Sequence, residues 1–437
     1  MPVSTYLKIK TKRMSKFERY YQAVNFLEGF NNLPLPGDYL IDKHHADVYL
    51  KRMRYFLNLL GNPDKGLKFI HIAGTAGKGT VTNMVHKILD VAGKKVGSFT
   101  SPSVTTSIEK IKVKDKYISP DEFADIVDYL KPFIDQAYVT GSYGRPSDFE
   151  IFLAMALGYF HRQKCDWVIL EVGLGGRYDA TNIITKPLIT AITNIDYDHT
   201  ELLGKTLKKI AYDKAGIIKR GSAVFTTEQR PSLLKIFAEI GREKHVSLRA
   251  LPRQNNYQEY NEELATAIAR QVGISDKYIT QGTKNTRLVC RFEVVQNKPL
   301  IVLDGAHNRS KIKTTIDNLR KLKFAKLYLI IGIADNKDHV SILAQIIPRA
   351  DYVFFTRFQN KDRKCAHPKE LLAKSQPYFK QGTGSKIYLD PASALAKALK
   401  LAKTDDLILV AGSFFLAGGL RKHWYPEDLI LKQRKSF

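Results

Sequence analysis

The sequence has 437 residues, 44% of them hydrophobic and 26% charged, with a formal net charge of +26 at pH 7. A chain of this length exceeds one ordinary hydrophobic core, so we expect two or three domains. It contains no run of about 18 apolar residues, and its basic N-terminus lacks the apolar segment of a signal peptide. We therefore expect neither a membrane span nor a secretory leader.

The high positive charge has two interpretations. A basic surface is typical of nucleic-acid-binding proteins. Here, however, Lys and Arg are spread along the chain, the clusters at residues 8–13 and 361–364 are short, and no RNA-binding motif or zinc finger accompanies them. We therefore expect the charge to attract ATP and polyanionic substrates rather than nucleic acid.

The chain contains three cysteines, Cys165, Cys290 and Cys365, which are far apart in the sequence. This spacing favours neither a disulfide framework nor a zinc cluster. It predicts a protein of the reducing cytoplasm.

Hydrophobic runs alternate with helical patterns along most of the chain. The runs are mostly continuous in Val, Ile and Leu, which is typical of parallel strands buried on both faces. They cover residues 68–72, 167–170, 188–195, 300–303, 327–333, 352–356, 386–389 and 407–410. Helical patterns cover residues 80–91, 121–130, 150–161, 311–322 and 392–402. This alternation predicts an α/β fold with doubly wound sheets.

A polar stretch at residues 279–287 follows a helical pattern at 261–272 and precedes a new set of strands. We place a domain boundary there, between a larger domain of residues 1–284 and a C-terminal α/β domain of residues 285–437. The second domain then has about 150 residues, an ordinary size for a domain.

Residues 69–89 combine a buried strand, a glycine-rich turn and an amphipathic helix. Glycines let backbone N–H groups approach phosphate oxygens, and the N-terminus of a helix attracts anions. Lys78 supplies a cation, and Thr80 supplies a hydroxyl that can face a metal. Only two residues separate Gly74 from the Gly77-Lys78 pair, so the spacing is shorter than in the ordinary Walker A pattern. The segment predicts a triphosphate-binding loop.

Four further segments place polar side chains at or after predicted strands. They contain Glu171, then Asp196, Asp198 and His199, then Lys214, and finally Asp304 and His307. Ligands of open α/β sheets bind beyond the carboxyl ends of strands, so Glu171 is placed to hold a cation near phosphates. Taken singly, each residue also has an ordinary structural interpretation. Their joint occurrence in this order favours a site.

Together these motifs resemble the folylpolyglutamate synthase/dihydrofolate synthase family, a branch of the Mur ligases. The matching segments run from about residue 20 to residue 421 and include GTAGKGT, EVGLGGRYDATN, DHTELLG, DKAGIIK and VLDGAHN. The resemblance implies an N-terminal P-loop ATPase domain of the Mur ligase type and a smaller Rossmann-like α/β domain. It also implies an amide ligase in which ATP phosphorylates a folate-side carboxylate and the amine of L-glutamate attacks the acyl phosphate.

The resemblance implies roles for individual residues. Its nucleotide-binding positions are Gly74, Thr75, Ala76, Gly77, Lys78, Gly79, Thr80, Asn261, Arg291, Asp304 and His307. Ser101 and Glu171 would hold one Mg²⁺, and His199 would help to hold a second. Lys214 matches a lysine that family members convert to a carbamate, so Lys78, His199 and Lys214 are the implied catalytic residues. The implied partners are ATP, L-glutamate and a pterin or folate acceptor, and the family is usually monomeric.

Several positions differ from the family's usual pattern. Ala76 replaces an Asn in the loop, Ser103 and Lys110 replace an expected His and Arg, and residues 147–150 read SDFE instead of TFFE. Residues 46–53 lack the Asp-Leu-Gly-Leu pattern that is linked to dihydropteroate binding. A Mur-type ligase with another acid acceptor, and a basic nucleic-acid-binding P-loop protein, therefore stay alternatives.

Overall fold

Two twisted sheets, each flanked by helices, follow one another along the chain. The computed structural model describes residues 16–30, 47–360 and 363–436. The basic stretch at residues 8–13, residue 46 and residues 361–362 lie outside the described residues. Within the described ranges, none of the helices has the length and apolar character needed to cross a membrane.

The first sheet has eight strands in the order β4-β3-β2-β5-β1-β6-β7-β8. Its strands are β1 (Phe69–Ala73), β2 (Val96–Phe99), β3 (Ile111–Val113), β4 (Lys116–Tyr117), β5 (Trp167–Glu171), β6 (Ile189–Ile192), β7 (Ala223–Thr226) and β8 (Leu248–Ala250). Neighbouring strands are parallel along the part of the sheet that runs β2-β5-β1-β6-β7-β8. At the other edge, β3 pairs antiparallel with both β2 and β4. The central strands are buried on both faces, because helices cover both sides of the sheet.

Ten helices of the described residues accompany this sheet. They are α1 (Glu18–Gly29), α2 (Asp47–Leu59), α3 (Lys78–Val91), α4 (Pro120–Thr140), α5 (Asp148–Arg162), α6 (Thr200–Leu203), α7 (Leu207–Lys214), α8 (Pro231–Glu243), α9 (Tyr257–Gln271) and α10 (Asp276–Lys284). One core contains Phe56 of α2, Phe123 of α4 and Phe160 of α5. Another contains Ile88 of α3 and Leu264 of α9. These cores hold β1 and α3, and hence the glycine-rich loop between them.

The second sheet has six strands in the order β13-β12-β11-β14-β10-β9. Its strands are β9 (Glu293–Asn297), β10 (Leu300–Leu303), β11 (Leu327–Ile331), β12 (Tyr352–Phe355), β13 (Gly384–Ile387) and β14 (Leu407–Ala411). Its helices are α11 (Arg309–Leu319), α12 (His339–Ile346), α13 (Pro368–Ser375), α14 (Pro391–Leu401) and α15 (Phe414–Arg421), and the last helix, α16 (Glu427–Gln433), follows them in the chain but packs on the core of the first sheet. All strand pairs of the second sheet are parallel except β9 with β10.

The predicted α/β class with doubly wound sheets is confirmed. Every predicted strand and helix overlaps an observed one, with bounds that differ by a few residues. The largest difference is α4, which continues ten residues beyond the predicted end at residue 130 and contains Pro132. The strands β2, β3, β4, β7, β8 and β9 were not predicted, because each has at most five residues and most of them contain glycine or polar residues instead of a continuous apolar run.

The polar stretch at residues 279–287 is mostly helical rather than an extended connection. Helix α10 ends at Lys284 and packs on α3 so closely that a Cβ on Gly282 would lie 2.5 Å from the Cα of Ile88. The connection to the second sheet therefore begins only after α10. The boundary between residues 284 and 285 stays a prediction.

Candidate active site

The carboxyl ends of four neighbouring strands meet at one edge of the first sheet, because β2, β5, β1 and β6 are parallel. The glycine-rich loop follows β1, Ser101 follows β2, Glu171 ends β5, and His199 follows β6. Loops after β10, β11 and β14 of the second sheet face them. Together these segments line a cleft of about 590 Å³.

The glycine-rich loop is tied to the end of β6. The N–H groups of Thr75 and Ala76 donate to the backbone oxygen and Oδ1 of Asn194, at 2.9 Å and 3.1 Å. Thr193 Oγ1 donates to the Ala76 oxygen at 2.6 Å. Gly74 has φ 144°, and a Cβ there would lie 1.7 Å from Thr193 Oγ1. Only glycine fits this position, because both its φ and its surroundings exclude a side chain.

The N-terminus of α3 is open towards the cleft. Its N-cap, Gly77, has φ 87° and provides no side-chain cap. The N–H groups of the first turn therefore have no partner within the helix, and such a terminus attracts anions. Since the N–H groups of Thr75 and Ala76 are engaged by the end of β6, the candidate phosphate donors are those of Gly77, Lys78, Gly79 and Thr80.

Two lysines converge on one carbonyl of the loop. Lys78 Nζ donates to the Gly74 oxygen at 3.1 Å, and Lys214 Nζ donates to the same oxygen at 3.0 Å. Lys214 is 4% exposed, and burial, together with the charge of Lys78, lowers its pKa to about 7. A large fraction of the Lys214 amine is therefore uncharged at neutral pH, the form that reacts as a nucleophile.

Glu171 is a buried carboxylate with few partners. Within the described chain it accepts one hydrogen bond, from the N–H of Ser101 at 3.3 Å. Burial raises its pKa, against the charges of Lys78 and Arg291. A Cβ on Gly79 would lie 3.1 Å from Glu171 Oε2, so the carboxylate lies against the first turn of α3. A buried carboxylate in this position fits a divalent cation that also contacts phosphate.

His199 has a left-handed backbone, with φ 49°. Burial lowers its pKa to about 4, so the ring is neutral at pH 7 and keeps a lone pair for a ligand. Its neighbour Asp198 accepts a hydrogen bond at 2.9 Å from Lys337 Nζ, which comes from the second sheet. Burial alone would raise the pKa of Asp198, but His199 and Lys337 together lower it below its ordinary value.

In the described part of the chain, no three His, Cys, Asp or Glu side chains form a closed metal site. Ser101, Glu171 and His199 instead all line the larger cleft. This arrangement suits Mg²⁺, which keeps waters and takes other ligands from substrate phosphates.

A smaller cavity of about 130 Å³ lies beside the loop. It is lined by Thr80 of α3, Asn261 of α9, and Arg291 and Asp304 from the second half of the chain. The Asp304 carboxylate accepts hydrogen bonds from Thr315 Oγ1 at 2.7 Å and from the Ala306 N–H at 3.1 Å, and burial raises its pKa to about 6. The structure thus brings together four predicted nucleotide-binding positions that lie far apart in the sequence.

His307 does not line this smaller cavity. Its ring faces the larger cleft, its Nδ1–H donates to the Gly305 oxygen at 2.8 Å, and its Nε2 lies 3.1 Å from Lys311 Nζ. Lys311 and Lys337 were not predicted as site residues. Nothing in the local pattern distinguishes them from the many other lysines of this chain.

Two phenylalanines of α5, Phe149 and Phe152, line the larger cleft but not the smaller cavity. Lys110 Nζ lies 3.5 Å from the centre of the Phe152 ring. Ala76, Ser103 and Asp148 line the same cleft as Lys110, so four of the positions that differ from the family pattern reach it. Glu150, which matches the family pattern, does not line the cleft: it belongs to the capping box of α5 and pairs with the buried Arg52.

Comparison with known proteins agrees with this geometry. Residues 290–414 match the Mur ligase, glutamate ligase domain. The chain is 30% identical over 416 residues to dihydrofolate synthase/folylpolyglutamate synthase of Bacillus subtilis, covering 85% of this chain and 94% of that protein. The crystal structure of folylpolyglutamate synthase from Thermotoga maritima superposes with a TM-score of 0.77 at 29% identity, covering 93% of this chain and 97% of that one.

A second solved structure carries ligands. It is a bifunctional folylpolyglutamate synthase/dihydrofolate synthase with Mn, AMPPNP and L-glutamate bound, and it is 26% identical with a TM-score of 0.77. The similarity covers 92% of this chain and 97% of that one.

Proposed function

We propose a function from one premise: this chain belongs to the dihydrofolate synthase/folylpolyglutamate synthase family. It is an ATP-dependent ligase that joins L-glutamate to a carboxylate of a folate-type acceptor. The acceptor carboxylate oxygen attacks the γ-phosphorus, and the bond from that phosphorus to the β-phosphate oxygen breaks to release ADP. The glutamate amine, after losing a proton, attacks the acyl carbon, and inorganic phosphate leaves.

One observation carries this proposal. The buried carboxylate of Glu171 lies against the uncapped N-terminus of α3, where Lys78 and Lys214 converge on the same loop carbonyl. An anion-binding helix terminus and a cation-binding carboxylate in contact suit a triphosphate with a divalent metal.

The nucleotide takes the smaller cavity and the loop. The N–H groups of Gly77 to Thr80 bind phosphate oxygens, and Lys78 leaves the Gly74 carbonyl to bind the β- and γ-phosphates. Asn261, Arg291 and Asp304 bind the remainder of the nucleotide from both halves of the chain. Because the site needs both sheets, their approach must precede chemistry. The position of His307 in the larger cleft favours a role on the side of the reacting carboxylate.

Ser101 and Glu171 would hold one Mg²⁺, and the neutral ring of His199 would help to hold a second. When bound, such ions neutralise phosphate charge and withdraw electrons from the phosphorus under attack. The residues themselves fit this task, because Glu171 is buried with one long hydrogen bond and His199 is uncharged at pH 7.

Lys214 is the proposed carbamate. Its amine is buried, and because its pKa is lowered to about 7 a large fraction is uncharged at neutral pH, which is the form that adds CO₂. The modification would turn a cation into an anion next to Lys78 and would orient the second metal. Such a change relieves the repulsion between two amines that share the Gly74 oxygen.

The acceptor lies along Phe149 and Phe152. Two aromatic faces in one cleft suit a flat aromatic ring system such as a pterin. Whether dihydropteroate, reduced folates or both bind there is left open by the changes at Ser103 and Lys110. The monomeric state, the cytoplasmic location and the lack of a nucleic-acid partner stay predictions.

A panel of acceptors tests the function. Purified protein is incubated with ATP, Mg²⁺, L-glutamate and either dihydropteroate, tetrahydrofolate or a folate with one glutamate, and mass spectrometry detects glutamate addition. We expect ADP release that depends on both glutamate and a pterin acceptor. Lys78→Ala should lower it by about 10²- to 10³-fold, because a cation on the transferred group is lost.

Lys94→Ala is the matched control, because Lys94 is an exposed residue just after α3 and its replacement removes the same charge. It should keep wild-type turnover. Activity with a non-pterin acid alone would favour the Mur-type alternative. Glutamate addition to none of the pterin acceptors would contradict the proposal.

A further inference from the structure

Lys311 occupies a position that the family motifs do not explain. It lies in the first turn of α11, three residues after the VLDGAHN segment, and it lines both the larger cleft and the smaller nucleotide cavity. Arg291 is the other cationic side chain that lines both. The two cavities meet at Ala76 and Gly77 of the loop. Lys311 therefore lies where a group passes from nucleotide to acceptor.

Hydrogen bonds hold the Lys311 amine in this place. His307 Nδ1–H donates to the Gly305 oxygen, so the lone pair of its neutral ring is on Nε2, which accepts from Lys311 Nζ at 3.1 Å. This bond uses one of the three N–H groups of the ammonium. Among the described residues the amine has no other hydrogen-bond partner, so its two remaining N–H groups can reach an anion in the cleft.

Partly buried and close to other cations, Lys311 would be stabilised in its charged form by a bound anion. Burial lowers its pKa to about 7, as do the charges of Lys78, Arg291 and Lys337, while Asp198 opposes them. A neighbouring anionic oxygen favours the charged form of an amine. The bound state, rather than the empty one, therefore gives Lys311 its full charge.

We propose that Lys311 binds the transferred phosphoryl group from the side of the second sheet, opposite Lys78 of the first sheet. This inference rests on the proposed function and adds a phosphoryl-contacting residue to it. As the bond from the γ-phosphorus to the leaving β-phosphate oxygen breaks and the carboxylate oxygen bonds to phosphorus, the three remaining oxygens keep their negative charge. Lys311 stabilises that charge on the nucleotide and afterwards on the acyl phosphate.

The α-carboxylate of the incoming glutamate is another anion that an amine in this cleft could bind. The location of Lys311 at the junction with the nucleotide cavity favours the phosphoryl group. The two possibilities differ in the ligand whose affinity depends on Lys311, so binding measurements separate them.

Calorimetric titration with Mg²⁺ and either ADP or a non-hydrolysable β,γ-analogue of ATP tests the proposal. Lys311→Met should weaken binding of the analogue about tenfold, since one charge-assisted contact is lost, and leave ADP affinity within about twofold. Lys311→Arg should retain most of the analogue affinity. Lys313→Met, on an exposed position of the same helix, is the matched control and should bind both ligands like the wild type.

Steady-state kinetics add a second measurement. Lys311→Met should lower kcat by about 10²-fold with little change in the KM for glutamate. Equal losses for ADP and the analogue, or no loss for either, would overturn the proposal. A raised KM for glutamate with unchanged kcat would assign Lys311 to the amino acid instead. The titration needs neither acceptor nor glutamate, so its result holds even if no pterin acceptor reacts.

Discussion

At the scale of single residues, the candidate site contains two amines, Lys214 and Lys311, that are only partly charged at pH 7 because burial lowers the pKa of each. Lys214 is the most buried of them and donates to the same carbonyl as Lys78. Keeping an ammonium there costs free energy, since burial and a second cation both disfavour the charge. Functional sites commonly contain groups with shifted pKa values that lower the stability of the fold.

Lys214→Met should stabilise the fold and abolish ligation. In CO₂-free buffer at pH 7 we expect the free energy of unfolding to rise by on the order of 3 kcal/mol, because the unfolded lysine holds its proton and the folded one does not hold it fully. Folding lowers the pKa of this amine from 10.5, the ordinary value of a lysine, to about 7. Urea unfolding followed by circular dichroism measures the change.

The sign of the pH dependence is a further check on the same variant. Between pH 7 and pH 10 the unfolded state binds the extra proton, so wild-type stability from this group rises with pH. The advantage of Lys214→Met should therefore shrink across that range. An advantage that stays constant, or a variant that ligates normally, would contradict the assignment. Carbamylation itself should appear as the mass of one CO₂ on the intact wild-type protein only.

At the scale of elements, helices α4 and α5 both begin with a capping box, but only the box of α5 also forms a buried ion pair. In α4 the Ser119 and Glu122 side chains form a capping box, and in α5 Ser147 and Glu150 form another. Glu150 also pairs with Arg52 of α2, and both side chains are almost fully buried. The second box therefore joins two helices, and it orients the α5 turn that carries Phe149 into the cleft.

Glu150→Gln should be far more destabilising than Glu122→Gln. Glutamine preserves a capping box, so the substitution mainly removes charge. At Glu150 it leaves the buried Arg52 unpaired, which should lower the free energy of unfolding by about 3–5 kcal/mol. At Glu122, which is 31% exposed, the cost should stay below about 1 kcal/mol.

Urea midpoints of the two variants provide this comparison directly. The double variant Arg52→Met with Glu150→Gln should recover part of the loss, because the uncompensated charge is gone. Equal effects at the two glutamates would show that the ion pair contributes nothing beyond the cap.

At the scale of the whole molecule, the end of the chain returns to the first sheet. Helix α16 follows the second sheet in sequence, yet its Leu431 lies in the core beneath the first. Beyond it, the Tyr117 N–H of edge strand β4 donates to the Arg434 oxygen at 2.9 Å, and Arg434 Nε donates to the Tyr117 oxygen at 2.7 Å. The chain thus crosses between the two halves twice, once after α10 and again at α16, in addition to side-chain contacts such as Lys337 with Asp198.

Leu431→Ala should therefore weaken the first domain rather than the second. Removing a fully buried leucine side chain should cost about 2–4 kcal/mol. Hydrogen exchange read by mass spectrometry should rise in β3 and β4 and in the segments that pack on α16. Leu389→Ala, at a position 58% exposed after β13, should change stability by less than about 0.5 kcal/mol. Faster exchange confined to β9–β14 would rule out this link.

Much of the local structure and the chemistry followed from the sequence by itself. Continuous apolar runs predicted the parallel strands, because a strand buried on both faces has no polar side. The short glycine-rich loop, Glu171 and His199 were identified because strand ends and helix starts are where ligands of α/β sheets bind, whereas Lys214 was identified only from the resemblance to the family. The two sheets and the ligase family are both confirmed.

Only the tertiary structure decided how these residues act. It placed Lys78 and Lys214 on one carbonyl, placed His307 in the larger cleft rather than in the smaller cavity, and brought Lys311 to the junction of the two cavities. Local patterns record which face of an element is buried, since that depends on neighbours in sequence. Distances between side chains on different strands, and the pKa shifts that follow from shared burial, depend on neighbours in space and arise only when the two sheets come together.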